Sequence, residues 1–275
     1  MKNNGMKIAV AGIQTRLGEF QLNIKKMTSW TEKAVDEKVD LICFPELCIT
    51  GFASENYETY SSLDMQKMLD VADYVPDGKM VEPIVELAKE LEIYICAGIL
   101  EKQKGKVYNT QVLVGPDNFF VKYRKIHTLF KKLSCGNDIP VFNINNCNIG
   151  ITQCWENLFF PETVRILAIK GADIILHPAG PRRVGTKTLD GEDRDMTRYR
   201  PEMLGLVRSL ENSVFVVGCS PECSYIADPK GRLVAKGEKW AVADCNLELR
   251  DPWRLSLRKP EVYQILYSKA GAKNL

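Results

Sequence analysis

Short apolar runs that alternate with amphipathic stretches constrain this chain more than any other feature. "KIAVAGIQ", Lys7 to Gln14, is an apolar run of strand length, and "QLNIKKMTSWTEKAVDEK" after it carries Leu22, Ile24, Met27, Trp30 and Ala34 at helical spacing. "DLICFPE", Asp40 to Glu46, is a strand pattern again, so this region reads as a β-α-β unit. A second unit lies far downstream. "NIGITQC" is a strand ending at Cys154, "FPETVRILAIKG" predicts a short helix with Pro161 near its first turn and Gly171 past its end, and "ADIILHP" is the next strand. The two units form a faint internal repeat.

Between them the pattern predicts a helix around "MVEPIVELAKELE", a strand "IYICAGIL" and a hairpin "VYNTQVLVG-PDN-FFVKYRK", whose turn carries Gly115, Pro116, Asp117 and Asn118. After His177, "AGPRRVGTKTLDGEDRDMTRYR" is charged and aperiodic and predicts an exposed loop. A helix "PEMLGLVRSLEN" follows, then strands in "SVFVVGCS", "CSYIADPKGRLVAKG" and "EKWAVADCNL". No linker or composition break divides the chain, so residues 1–275 read as one α/β domain, with a C-terminal tail from about residue 256.

Composition excludes several function classes. With 45% hydrophobic residues in 275, the chain can bury a sizeable core without a metal or disulfide staple. The net charge of +2 is spread along the sequence with no basic block, which argues against a nucleic-acid footprint. No apolar stretch approaches the ~20 residues of a membrane span. The nine cysteines form no C-x-x-C pair, and the N-terminal apolar run is too short for a signal-peptide core, so reduced thiols in a cytoplasmic setting are expected. His127 and His177 stand far from any cysteine pair with ligand spacing, so neither a metal nor another cofactor is expected.

In parallel β-α-β sheets ligands gather at the carboxyl ends of strands. Three reactive residues end strands here: Glu46 in "DLICFPE", Lys125 in "FFVKYRK" and Cys154 in "NIGITQC". Each alone has an ordinary explanation. Free cysteine is among the most buried residue types, a Glu after Pro at a strand end is usually solvated, and "KYRK" reads as a solvated basic cluster. Their coincidence at equivalent strand ends is the signal, because a carboxylate, an amine and a thiol are the parts of a thiol-nucleophile site. A Cys–His dyad is the rival, since His127 follows Lys125 by two residues and would share its face of a strand.

Three spaced motifs then agree in order: "FPELCITGF" around Glu46, "YNTQVLVGPDN" with "KYRKIH" around Lys125, and "GITQCWENLFFPETVRILAIKGADIILHPA" around Cys154. With "RSLENSVFVV" and "RKPEVYQIL", they make the chain resemble the nitrilase superfamily of carbon–nitrogen hydrolases from about Lys7 to Leu266. The resemblance implies a four-layer α-β-β-α sandwich, a Glu46–Lys125–Cys154 triad, and association into a homodimer or larger assembly. Lys125 and the backbone N–H of Trp155 would stabilise the oxyanion, and Phe52, Lys131 and Pro178 are candidate substrate contacts. The implied activity is thiol-dependent hydrolysis of a non-peptide carbon–nitrogen bond. A small linear amide of ω-amide or carbamoyl type, cleaved through a cysteine thioester, is the first expectation, and a nitrile the second. The alternative from another class is a non-catalytic member that binds a metabolite or partner.

One departure stands out. Many members carry a second glutamate between the Lys and Cys motifs, whereas "IHTLFKKLSCGNDIPVFNINNCNIGITQ" has Asp138 as its only acidic residue. Either Asp138 or Glu156 fills that space, or the gap admits a substrate carboxylate met by Lys131 or Lys132. The second is the expectation, since Asp138 already has a plain loop-turn explanation.

Overall fold

Successive residues of the first strand face two different cores. In β1, Gly5–Ala11, Met6, Ile8 and Val10 join one apolar cluster, while Ala9 and Ala11 join another. That period of two is the strand pleat, and both faces are apolar because both are covered. The structure is a computed structural model that describes residues 4–52, 62–128, 130, 132–181, 186–187, 193–194 and 200–264, with the side chains of 62–64, 186–187 and 193–194 outside that description.

After β1 come α1 (Phe20–Asp36), β2 (Leu41–Cys43), α2 (Ser62–Asp70), α3 (Glu82–Glu90) and three strands, β3 (Tyr94–Gln103), β4 (Lys106–Val114) and β5 (Phe120–Arg124). The second half runs β6 (Val141–Ile144), β7 (Cys147–Ile151), α4 (Trp155–Phe159), α5 (Pro161–Ile169) and β8 (Ile174–Pro178). A two-residue ladder follows, β9 (Thr186–Lys187) with β10 (Asp193–Arg194). Then come α6 (Pro201–Asn212), β11 (Phe215–Ser220), β12 (Cys223–Ala227), β13 (Leu233–Gly237), β14 (Trp240–Asn246) and α7 (Trp253–Ser256).

The strands form two six-stranded sheets, in the orders β14-β1-β2-β3-β4-β5 and β6-β7-β8-β11-β12-β13. Read in those directions, each has one antiparallel pair, two parallel pairs and two antiparallel pairs. The repeat that was faint in sequence is therefore a repeat of whole sheets. The apolar cluster between them draws Ile8, Leu41 and Cys96 from the first sheet and Ile149, Leu176 and Phe215 from the second. Met27 of α1 and Ile84 of α3 cover the outer face of the first sheet, and Val164 and Leu167 of α5 with Leu206 of α6 cover that of the second. The four-layer α-β-β-α sandwich is the observed fold.

The helix expected from Leu22 to Ala34 forms, but its buried face is turned. Leu22 is exposed, whereas Asn23 and Thr31 are buried beside Met27 and Ala34. The cause is the Asn23 side chain, which accepts from the N–H of Arg16 and donates to the carbonyls of Arg16 and Ile49, tying two loops to the helix. Most of the charged segment after His177 lies outside the described residues, as does the chain beyond residue 264.

Candidate active site

The Glu46 turn lies just past β2 and is laid against β3. Phe44 N–H donates to the Cys96 carbonyl at 2.9 Å and Ile49 N–H to the Gly98 carbonyl at 2.8 Å. Gly98 permits this approach, since a Cβ there would stand 2.2 Å from the Leu47 nitrogen. The turn delivers a carboxylate that is only 2% exposed. Its Oε1 accepts from Lys125 Nζ at 2.6 Å and from Asn109 Nδ2 at 2.7 Å, and its Oε2 accepts from the Gly180 N–H at 3.0 Å.

Lys125 follows β5 directly and is 4% exposed. Its backbone N–H donates to the Asn109 carbonyl at 2.8 Å, so Asn109 on β4 fixes the lysine by its main chain and the glutamate by its side chain. Burial pushes the ammonium pKa down, but the charges of Glu46, Cys154 and Glu156 outweigh it and hold the group above its ordinary value. The amine therefore stays a cation, and its charge and that of Cys154 act on each other.

Cys154 sits where β7 has ended and α4 has not begun. Its φ of +48° with ψ of −108° is a conformation that L-residues rarely adopt. Its N–H donates to the Pro178 carbonyl at 2.9 Å, and its own carbonyl meets His177 Nε2 at 3.1 Å. Seven other cysteines are buried, Cys135 is exposed, and Cys154 is between the two. Trp155 is the first residue of α4, so its N–H is one of the donors that a helix leaves without an internal partner.

Glu156, two residues past the thiol, is fully buried. Its Oε1 accepts from the N–H groups of Ile126 at 2.7 Å and His127 at 3.1 Å, and its Oε2 from the Tyr123 hydroxyl and the Gln153 N–H, both at 2.7 Å. Burial pushes this carboxyl up, but His127, the Lys125 charge, the Gln153 N–H and Tyr123 together bring it below the ordinary carboxylate range. Asp138 is far more exposed and pairs with Lys170 at 3.5 Å. Of the two acidic candidates for the place of the absent glutamate, Glu156 is the one whose charge bears on Lys125.

Lys125 links the sequence-predicted residues: its Nζ bonds Glu46 at 2.6 Å, and the charge of Cys154 bears on its ammonium. His127 turns elsewhere: its ring stacks on Phe160 with centroids 3.7 Å apart, and its Nδ1 stands 3.7 Å from Glu156 Oε1. The histidine that meets the Cys154 residue is His177, through the carbonyl. Phe52 packs on the backbone beside Glu46, since a Cβ on Gly180 would lie 2.5 Å from its ring. Pro178 offers Cys154 its carbonyl, Lys132 is exposed, and Lys131 lies outside the described residues.

Sequence reasoning left Asn109, Gly180 and His177 without roles. A signal was present for Asn109: Asn109, Thr110 and Gln111 are consecutive polar residues inside β4 and all are buried, which requires partners. Among the described residues, no three His, Cys, Asp or Glu side chains gather as a metal site, and no helix is long and apolar enough to cross a membrane.

The carbon-nitrogen hydrolase family model matches residues 7–255. A nitrilase of Pyrococcus abyssi is 31% identical over 216 residues, covering 77% of this chain and 73% of that one. An omega-amidase of Mus musculus is 29% identical over 269 residues, covering 92% and 84%. The crystal structure of a carbon-nitrogen hydrolase from Helicobacter pylori superposes with a TM-score of 0.78 at 19% identity, covering 97% of this chain and 99% of that one.

Proposed function

The chain belongs to the carbon–nitrogen hydrolase family of the nitrilase superfamily, and from that premise we propose that it hydrolyses a small linear amide through a thioester on Cys154. The observation that carries this reading is the Glu46–Lys125 pair: a carboxylate and an ammonium, both almost without solvent, with the ammonium charge bearing on the Cys154 thiol.

An unperturbed thiol is only about 3% thiolate at neutral pH, so it needs a base and a cation. Glu46 takes the thiol proton, and the sulfur adds to the amide carbon. The ammonium of Lys125 and the N–H of Trp155 receive the negative charge that develops on oxygen. When the tetrahedral adduct collapses, the C–N bond breaks and Glu46 returns its proton to the departing nitrogen. Water then adds to the thioester with Glu46 as base again, releasing the acid and restoring the thiol. No step needs a metal or a redox partner.

The omega-amidase likeness over 92% of the chain supports an ω-amide substrate, and the likeness to a nitrilase supports nitrile hydrolysis as the second reading. Intact mass spectrometry after incubation with pooled ω-amides and nitriles tests both. An acyl adduct on Cys154 from an amide supports the first, and the same adduct from nitriles alone supports the second. An adduct elsewhere, or undiminished turnover in Cys154→Ala, would refute both. The substrate-carboxylate expectation has its own comparison: ω-amides that bear a carboxylate should outpace neutral amides of equal length, and less so in high salt.

A further inference from the structure

We infer that His177 is a positioning residue: by anchoring the carbonyl oxygen of Cys154 it aims the N–H of Trp155 at the oxyanion. This rests on the thiol-nucleophile reading above and adds a residue to it.

A carbonyl oxygen has no proton to donate. It only accepts hydrogen bonds, so the His177 Nε2 that lies 3.1 Å from the Cys154 oxygen must carry a hydrogen. The ring is 1% exposed, and burial pushes its pKa down to about 4, so it is neutral and carries that one hydrogen. Nδ1 is then a bare lone pair. It faces two donors, Asn157 Nδ2 at 3.2 Å and the Tyr225 hydroxyl at 3.3 Å. The whole contact set agrees with one tautomer.

Peptide geometry supplies the next step. The Cys154–Trp155 peptide is trans, because the only cis bond among the described residues is Val75–Pro76. In a planar trans peptide the C=O and the N–H point in opposite directions. Holding the oxygen on a buried imidazole therefore fixes the N–H of Trp155 on the far side of the same plane. The hold is needed, since Cys154 at φ +48° is in a conformation that would relax if released. Two consecutive residues of one strand restrain it: the Pro178 carbonyl takes the Cys154 N–H and the His177 ring takes the Cys154 oxygen. None of these contacts involves the sulfur.

That last point separates this role from a structural one. Alkylation of a thiolate by iodoacetamide expels iodide and develops no oxyanion, whereas acylation by p-nitrophenyl acetate passes through one. Both rates are measured on the full chain in a Cys135→Ser background, which removes the exposed competitor thiol. His177→Leu should slow the Cys154 acylation burst by about 10- to 100-fold, less than or comparable to the loss of an oxyanion donor, while alkylation stays within about 3-fold. His177→Gln, whose amide N–H can replace Nε2–H, should recover most of the burst. Parent-like acylation in His177→Leu, or loss of both reactions in step, overturns the inference. If His177→Leu does not fold, nitrogen-15 NMR of the parent decides it. There are two histidines, and His127→Gln assigns their signals. An Nε2–H tautomer at His177 at pH 7 is required, and an Nδ1–H tautomer overturns the inference. Absence of any Cys154-dependent burst in the parent overturns the nucleophile reading itself, and is recognised by identical traces from parent and Cys154→Ala.

Discussion

Glu46 Oε1 and Lys125 Nζ lie 2.6 Å apart with side chains 2% and 5% exposed, so each charge depends on the other for its solvation. Glu46→Gln keeps the shape of the pair and removes both the proposed base and the counter-charge. Turnover should fall by at least ~100-fold on general-base magnitudes, and stability by about 3–5 kcal/mol because a buried ammonium is left unpaired. Adding Lys125→Met should restore much of the stability and none of the turnover. Chemical denaturation and initial rates on the parent, Glu46→Gln and the double variant check this. A single variant with near-parent rates would remove Glu46 from the role of base.

Lys125→Ala should cost a factor of about 100 to 1000 in turnover, since it deletes the charge proposed to face the oxyanion. Steady-state kinetics with kcat and KM resolved separately checks this. A rise in KM alone would make the lysine a binding group instead.

Thiol labelling should be sharply uneven. Seven cysteines are buried and Cys135 is exposed, so two sites compete for a limiting dose of iodoacetamide. Cys154 should react faster than the exposed Cys135, because Lys125 favours its thiolate. Peptide mapping over a time course gives the ratio, and faster labelling of Cys135 would argue against an activated Cys154.

Acid stability should carry the signature of His177. Its pKa is depressed from 6.5 to about 4 in the folded protein, so the unfolded chain binds the extra proton first. The histidine's share of stability is intact above pH 6.5, falls as pH drops from about 6.5 to 4, and levels below that, for a total of about 3 kcal/mol. Among the described residues, Glu46, Lys125, Glu156 and Tyr225 are ionisable groups that bear on the ring. Urea denaturation at stepped pH on the parent and His177→Gln checks this: the slope in that window should be shallower in the variant.

Self-association is expected through the outer face of α6, where Met203, Val207 and Leu210 stand exposed at helical spacing, 58%, 50% and 44%. Light scattering at micromolar concentration should give at least twice the 31.1 kDa chain mass, and Val207→Glu should shift it towards the monomer. A monomeric parent would contradict the expectation.

What the sequence disclosed follows from what kind of contact each residue makes. Strand periodicity and the end-of-strand positions of Glu46, Lys125 and Cys154 are local patterns, and they were legible. Glu156 was legible only as a candidate, because its partners Tyr123, Ile126 and His127 are some thirty residues away. His177 reads as the last residue but one of an apolar strand, and nothing local tells that its ring meets a carbonyl 23 residues earlier. The turned face of α1 has the same origin: Asn23 is buried by its long-range bond to Ile49. The equivalence of the two sheets was almost invisible, since pairing direction is a property of neighbours in space.

That equivalence has a mechanical consequence. Glu46 and Lys125 belong to the first sheet's half and Cys154 to the second's, and each half reaches across: Glu46 to Gly180, Glu156 to Tyr123 and the N–H groups of Ile126 and His127. The reactive geometry is thus not stored in either half. It exists only while the two are in register, so a shear of the sheets by about an ångström should cost most of the proposed activity with every strand and helix still intact. In a gentle denaturant titration, activity should vanish before the circular dichroism changes.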